Sequence, residues 1–234
     1  MPDHVSFPLL KLTKGKERLK VQELREQLSL SKDALEAEVC GLEGQGLLRR
    51  NEETIEIDKA LRLRLAEQLI HTGADPRRIS RFLKWQEFED FAADSLRNNG
   101  YRVVKHLVFR SRSGRREVDI IAWNDNFVLT FDCKHWAKGL SPSRVMQAAD
   151  AQAERAALLA GNEGLLARHG LQNPGKRKIL PVVLSLGEPR QSIVNGVPIV
   201  PISKLMSFLY GISPVDETFR FIPIHDQAGQ SSLV

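Results

Sequence analysis

Four ionisable residues, Glu89, Asp119, Asp132 and Lys134, fall in or beside segments whose apolar neighbours leave little room for charge. The run FVLTFDCKHW, residues 127–136, reads as a strand. Alternate side chains of a strand share a face, so Thr130, Asp132 and Lys134 point one way and Phe131, Cys133 and His135 the other. Asp119 lies inside EVDIIAW, a second run rich in Val and Ile. Charges are uncommon in strands covered on both faces, and burying even a neutral polar group without a partner costs roughly 2–7 kcal/mol. Two accounts are open: Lys134 forms a buried ion pair with Asp132 or Asp119, or a divalent cation neutralises the carboxylate that the lysine leaves over. Mg²⁺, with Mn²⁺ as a substitute, suits a few carboxylate oxygens plus water and phosphate.

The elements that position these residues follow from hydrophobic period. A helix is predicted over 81–99, strands near 101–110, 117–123 and 127–135, a long helix over 143–168, strands near 179–186 and 197–202, and a helix over 203–210. Winding residues 85–99 at about 100° per residue gathers Trp85, Phe88, Ala92, Ser95 and Leu96 into one stripe. Glu89 edges that stripe, and Glu87, Asp90 and Asp94 lie opposite. Glu89 is thus the acid expected to face the sheet, with an arginine contact at the core's flank as the alternative. On the 143–168 helix Gln152 shares a face with Val145, Ala149, Ala156 and Leu159, and Gln147 is a lesser candidate. The mixture of strands and helices defines an α/β domain with a covered sheet.

Upstream, VQELREQL, the turn SLS, KDALEAEVCGLEGQGLL and the ribbon LLRRNEETIEID read as helix, helix and hairpin, with Ser31 as an N-cap. This order resembles a winged helix, used for DNA, for dimerisation or for packing. The second helix carries Asp33, Glu36, Glu38 and Glu43 against Lys32. That balance repels phosphate, so Arg49 and Arg50 near the ribbon are the better DNA candidates. ADPRRIS reads as a linker, because proline and its predecessor resist helix continuation. The expected organisation is a winged-helix-like domain over 1–75, the α/β domain over 76–215 and a tail over 216–234.

The order Glu89, GYRVV, a basic loop, EVDIIAW and FDCKHW resembles the PD-(D/E)XK nuclease superfamily, most closely its Mrr-type restriction endonucleases and archaeal Holliday junction resolvases. The likeness spans about residues 85–136. It implies a restriction-endonuclease-like mixed sheet flanked by helices, and a DNA endonuclease that hydrolyses phosphodiesters with a divalent metal. It further implies Glu89, Asp119, Asp132 and the Cys133 carbonyl as metal ligands, Lys134 as the residue orienting water or stabilising charge, Gln152 as an auxiliary residue, and a homodimer that cuts two strands. Val118 stands where many relatives have proline, and Ala156 where an aromatic often follows the glutamine. Arg110, Arg112, Arg115 and Arg116 form a basic loop placed to grip phosphates or to remain solvated. His135, Trp123 and Trp136 are read as packing or rim residues. A noncatalytic DNA-binding or regulatory protein and a protein-interaction scaffold are the rival readings.

Composition sets the outer limits. Of 234 residues, 42% are hydrophobic and 27% charged, so a sizeable core is expected rather than disorder. The formal charge of +5 is compatible with a polyanionic partner. Cys40 and Cys133 stand far apart without a CxxC pair, which points away from a disulfide framework or structural zinc and suits a cytoplasmic location. No apolar run approaches the roughly 20 residues that span a bilayer.

Overall fold

The computed structural model describes residues 4–75, 78–79, 81–111, 114–126, 128–134, 141–171, 178–213 and 215–224. The chain divides into two compact units, one built on Met1–Phe91 and the other on Ala92–Lys134 and Leu140–Val234.

The first unit runs α1 (Ser6–Leu12), β1 (Arg18–Lys20), α2 (Val21–Glu26), α3 (Lys32–Gly44), β2 (Arg49–Asn51), β3 (Thr54–Glu56) and α4 (Lys59–His71), and takes in the start of α5 (Trp85–Asn98). The three strands form an antiparallel sheet in the order β1-β3-β2. Ser31 caps α3 as expected, its hydroxyl accepting from Ala34 N at 3.2 Å, and Asp58 caps α4 by accepting from Leu61 N at 2.9 Å. Sequence periodicity does not reveal α1 and β1. The helix is short and has Pro8 in its first turn, where the missing N–H is tolerated, and β1 gains its stability from pairing with β3.

Arg62 of α4 organises this unit. Its guanidinium is 1% exposed, and Nε donates to Glu87 Oε1 at 3.0 Å. Nη1 donates to Leu10 O at 3.0 Å and to Thr13 Oγ1, and Nη2 donates to Phe82 O. A buried cation is tolerated where its donors find acceptors in this way. Lys14 adds a bond to Arg81 O at 2.7 Å, so the segment leading into α5 is fastened to α1 and α4. Glu87 therefore corrects the helical-wheel expectation. The wheel puts it on the outer side of the helix, yet it is buried, because Arg62 supplies a counter-charge that a wheel drawn against a sheet alone omits.

In the second unit β4 (Arg102–Ser111), β5 (Gly114–Trp123) and β6 (Val128–Lys134) form an antiparallel meander. The crossover α6 (Pro142–Ala160) and α7 (Glu163–Arg168) leads to β7 (Lys178–Ser185), parallel to β6. β8 (Ile193–Val194), β9 (Val197–Pro201), a 3-10 turn at Ile202–Lys204, α8 (Leu205–Gly211) and β10 (Ile222–Pro223) follow. Among the described residues seven strands make one mixed sheet in the order β4-β5-β6-β7-β9-β8, with β10 antiparallel on β7. β6 and β7 are buried nearly throughout, which accounts for their continuous apolar sequences.

Three expectations are refined. The single helix over 143–168 is two, because Gly161 and Asn162 interrupt it and Asn162 Oδ1 caps α7 through Leu165 N at 3.2 Å. The basic loop over 110–116 belongs largely to a hairpin, with Arg110 opposite Arg115 and Ser111 opposite Gly114. The stretch assigned to a tail contains β10, and Ile224 enters the buried cluster, as the apolar residues of FRFIPI allow.

Glu67 on α4 carries a pH dependence. Oε1 is buried without a hydrogen-bond partner, and burial raises its pKa from 4.5 to about 7, with Arg64 opposing. Raised folded-state pKa values favour the neutral form, so stability present below about pH 4.5 is lost as pH rises through about 7. Glu67→Gln is expected to raise the melting temperature at pH 8 and to change it little at pH 5. Equal shifts in thermal melts at the two pH values would contradict this.

Candidate functional site

The β5–β6 ladder runs from Trp123 opposite Val128 to Ile120 opposite Phe131. The next residues outward are Asp119 on one strand and Asp132 on the other. Beyond that last pair a side chain continues the connection: Asp119 Oδ2 accepts from Cys133 N at 2.8 Å. Burial pushes the Asp119 carboxyl above its ordinary range, and the Cys133 N–H opposes that shift. The neighbouring Asp132 charge adds to the rise, while Lys134 and Arg155 oppose it.

Asp119 also marks a change of phase. Lys105 pairs with Ile120 and Leu107 with Val118, leaving His106 and Asp119 between them. The buried cluster that includes Ala156 and Leu159 of α6 takes Val118, Ile121 and Trp123 from β5, and Leu107 and Phe109 from β4, with Val104 packed against it. Residues three apart in an undisturbed strand face opposite ways. Both strands therefore reverse their inward face at this level, where His106 adopts φ 52°. His106 Nδ1 lies 3.3 Å from Glu117 Oε1.

Asp132 is 3% exposed and held by two cations. Its Oδ1 accepts from Lys134 Nζ at 3.0 Å and from Arg155 Nη2 at 2.5 Å. Arg155 Nε donates to Gln152 Oε1 at 2.9 Å, and the fully buried Gln152 donates from Nε2 to Thr130 O at 2.7 Å and to Thr130 Oγ1 at 3.2 Å. Thr130, Asp132 and Lys134 share one face, as their spacing requires, and the Cys133 thiol is buried. Asp119, Asp132, Lys134 and Gln152 are thus gathered around β5, β6 and α6. Gln147 is exposed.

Arg155 is a site residue that sequence reasoning does not single out. It follows Gln152 by three residues on a helix otherwise rich in alanine, a spacing that places both on one face. Its presence changes the charge count: Lys134 and Arg155 balance two aspartates, so an excess of negative charge no longer calls for a metal. What remains is donor chemistry. Asp132 Oδ2 is buried and receives no aligned hydrogen bond, although Lys134 Nζ is 2.9 Å away. That proximity supplies charge while leaving an oxygen lone pair open, and with the adjacent Asp119 the donor set fits a hard divalent ion in kind. No group of three or more His, Cys, Asp or Glu side chains placed to hold a metal occurs among the described residues.

The other expected site residues are placed as follows. Glu89 belongs to the first unit, is 1% exposed and accepts from Trp85 Nε1. Arg49 pairs with Asp58 at 3.1 Å, and Arg50 with Glu36 while its Nε donates to Glu52 O at 2.9 Å. Both ribbon arginines are therefore engaged by the chain's own acceptors. Arg110 and Arg115 are exposed, and Arg116 lies 3.7 Å from Glu154. Trp123 is buried, whereas Arg112, His135 and Trp136 fall outside the described residues.

A large mixed sheet with flanking helices and acids on adjacent strands is a restriction-endonuclease-like arrangement. Residues 80–161 match the family model Mrr_cat, described as restriction endonuclease. An uncharacterized protein of Archaeoglobus fulgidus is 27% identical over 141 residues, covering 60% of this chain and 100% of the relative. Among solved structures, protein VC1899 from Vibrio cholerae is 12% identical with a TM-score of 0.35, covering 88% of this chain and 48% of that one. Can2 from Sulfobacillus thermosulfidooxidans, in complex with cyclic tetra-adenylate, is 14% identical with a TM-score of 0.30, covering 79% and 42%. This chain thus spans less than half of either solved chain. No described helix is long and apolar enough to cross a membrane.

The raised pKa of Asp119 yields a stability test. Because burial favours its neutral form, stability is lost as pH rises through the folded-state value. Asp119→Asn retains an oxygen to accept from Cys133 N. It is expected to melt above the wild type at pH 7, with the gap closing as pH falls below the ordinary carboxylate range. A gap that is constant from pH 7 to pH 3 would exclude this origin.

Proposed function

We propose that the segment 76–215 is a divalent-metal-dependent DNA endonuclease, preceded over 1–75 by a winged-helix-like module. The observation carrying this reading is the juxtaposition of Asp119, Asp132 and Lys134 on neighbouring strands within the segment that matches a restriction endonuclease family. The helix, strand, helix, helix, strand, strand order of the first unit supports the winged-helix reading. A cytoplasmic protein acting on DNA, alone or as a homodimer, is consistent with cysteines kept as thiols and a basic chain.

In this mechanism Asp119, Asp132 and the Cys133 carbonyl would hold Mg²⁺ or Mn²⁺. Bound there, the ion supplies Lewis acidity to the scissile phosphate and lowers the pKa of the attacking water. Asp119 is oriented by the Cys133 N–H. Lys134 is placed to direct the water or to stabilise charge developing on phosphate oxygens, work suited to a pre-positioned cation. Gln152 orients Arg155, and Arg155 restrains Asp132. Arg155 bonds Oδ1 and leaves Oδ2, the oxygen offered to a metal, without an aligned donor.

A second reading, a noncatalytic DNA-binding or regulatory protein with a nuclease-like fold, draws support from the same clamp, since Lys134 and Arg155 already neutralise Asp132. Linear, nicked, flapped and four-way DNA, incubated with Mg²⁺, Mn²⁺ or EDTA, separates the two. The wild type is expected to cut at least one substrate only with metal, and Asp132→Ala and Lys134→Ala to lower the rate by about 10²-fold or more. A panel left equally intact by wild type and variants, with binding retained, would favour the noncatalytic reading. RNA enters the same panel as a further substrate class.

A further inference from the structure

Arg110 and Arg115 face each other directly across the β4–β5 hairpin. Like charges in such cross-strand positions destabilise a sheet. A third arginine, Arg168 of α7, joins them in lining an open groove of about 620 Å³. Phe109 and Leu165 form part of its apolar wall, and Val108, 40% exposed, contributes another apolar surface. Among the described residues that line it there is no carboxylate. Among the described residues, none of the three arginines has an acidic partner within 4.0 Å, whereas Arg49, Arg50, Arg62, Arg97, Arg116 and Arg155 each have one. Asn162, which also lines the groove, has its side-chain oxygen committed to capping α7.

Three guanidinium groups beside an apolar wall make a receptor for phosphate oxygens, because the planar forks donate in pairs and a nearby low-dielectric surface strengthens the attraction. The distance to the proposed cleavage site is also informative. Arg115 precedes Asp119 by four residues on β5, roughly 13 Å at about 3.3 Å per residue. That corresponds to roughly four nucleotides of axial rise.

We propose that Arg110, Arg115 and Arg168 form a phosphate anchor that seats the backbone of the DNA strand a few nucleotides from the phosphate held at Asp119 and Asp132. This rests on the endonuclease reading for the position of the scissile phosphate, and it adds Arg168 and the groove as a site with a separate role. Phosphate contacts carry affinity and salt dependence without reading sequence. The anchor therefore holds duplexes of different sequence alike.

The test uses the full chain in EDTA with a fluorescently labelled 30-bp duplex, anisotropy as readout, and KCl varied from about 50 to 300 mM, a range in which phosphate contacts register strongly. Arg168→Ala and the double variant Arg110→Ala/Arg115→Ala are expected to weaken binding by about 5–20-fold and to reduce the salt slope by about one for each arginine removed. Arg168→Lys keeps most of the salt slope but loses part of the affinity. Arg97→Ala, which breaks an exposed pair with Asp94, leaves both unchanged. Circular dichroism melts confirm that each variant is folded. Wild-type affinity and salt slope in folded Arg168→Ala and in the double variant would overturn the anchor. So would loss of nucleoside triphosphate binding in Arg168→Ala with duplex binding intact, since the groove would then serve a small phosphate ligand. If wild-type protein cuts nothing in metal yet Arg168→Ala weakens duplex binding, the anchor stands and the endonuclease reading falls. If Asp132-dependent cutting is seen and Arg168→Ala binds normally, the anchor alone falls.

Discussion

A buried carboxylate must be neutralised by something, and at Asp132 this requirement shapes the surrounding unit. Lys134 arrives from the same strand two residues on, and Arg155 from the helix of the crossover. Arg155 is held in turn by Gln152, whose amide anchors on Thr130. Only the carboxylate is buried, the lysine and arginine side chains being 33% and 21% exposed, so removing either cation leaves a buried charge less well compensated. The helix register, the strand register and the rotamer of a glutamine are consequently coupled through one carboxylate.

The same level of the sheet is irregular in its backbone. His106 and Asp119 sit opposite each other between regular pairs, and both strands exchange inward and outward faces there. Left-handed backbone at a non-glycine residue costs of order 1–3 kcal/mol, and structures concentrate such departures at functional positions. Here the reversal lets Val118 and Ile121 both reach the apolar cluster while Asp119 stands between them. A regular strand could satisfy one of the two, so apolar burial is preserved on both sides of the acid.

Much of this is legible in residue order. Two-residue alternation separates Asp132 and Lys134 from Cys133, and the helical face places Gln152 toward the sheet. What escapes are effects requiring a third element. A wheel assigns Glu87 to solvent because nothing in its helix announces Arg62, twenty-five residues earlier in the chain. Arg155 draws no notice because an arginine on an alanine-rich helix has many surface explanations, and only the strand behind it gives the charge a destination. Arg168 is hidden for the opposite reason: its proposed role rests on a groove whose described lining residues include no carboxylate. The ribbon arginines illustrate a fourth case, since sequence counts charge but does not reveal that Glu36 and Asp58 have already engaged it.

The crossover that carries Arg155 has a consequence for the order of folding. β4, β5 and β6 are consecutive antiparallel strands, so Asp119 and Asp132 can be brought together by contacts local in sequence. β7 pairs with β6 only after α6 and α7 have been laid across, and β10 returns to β7 from further along still. Pairings that close longer loops form later, because more chain entropy must be lost before they are rewarded. The two carboxylates therefore meet before the helix delivers the guanidinium, with Lys134 as the local cation. Completion of the central sheet and electrical neutralisation of the site become one event, and a chain that has not docked its crossover carries the mark of that failure as uncompensated charge.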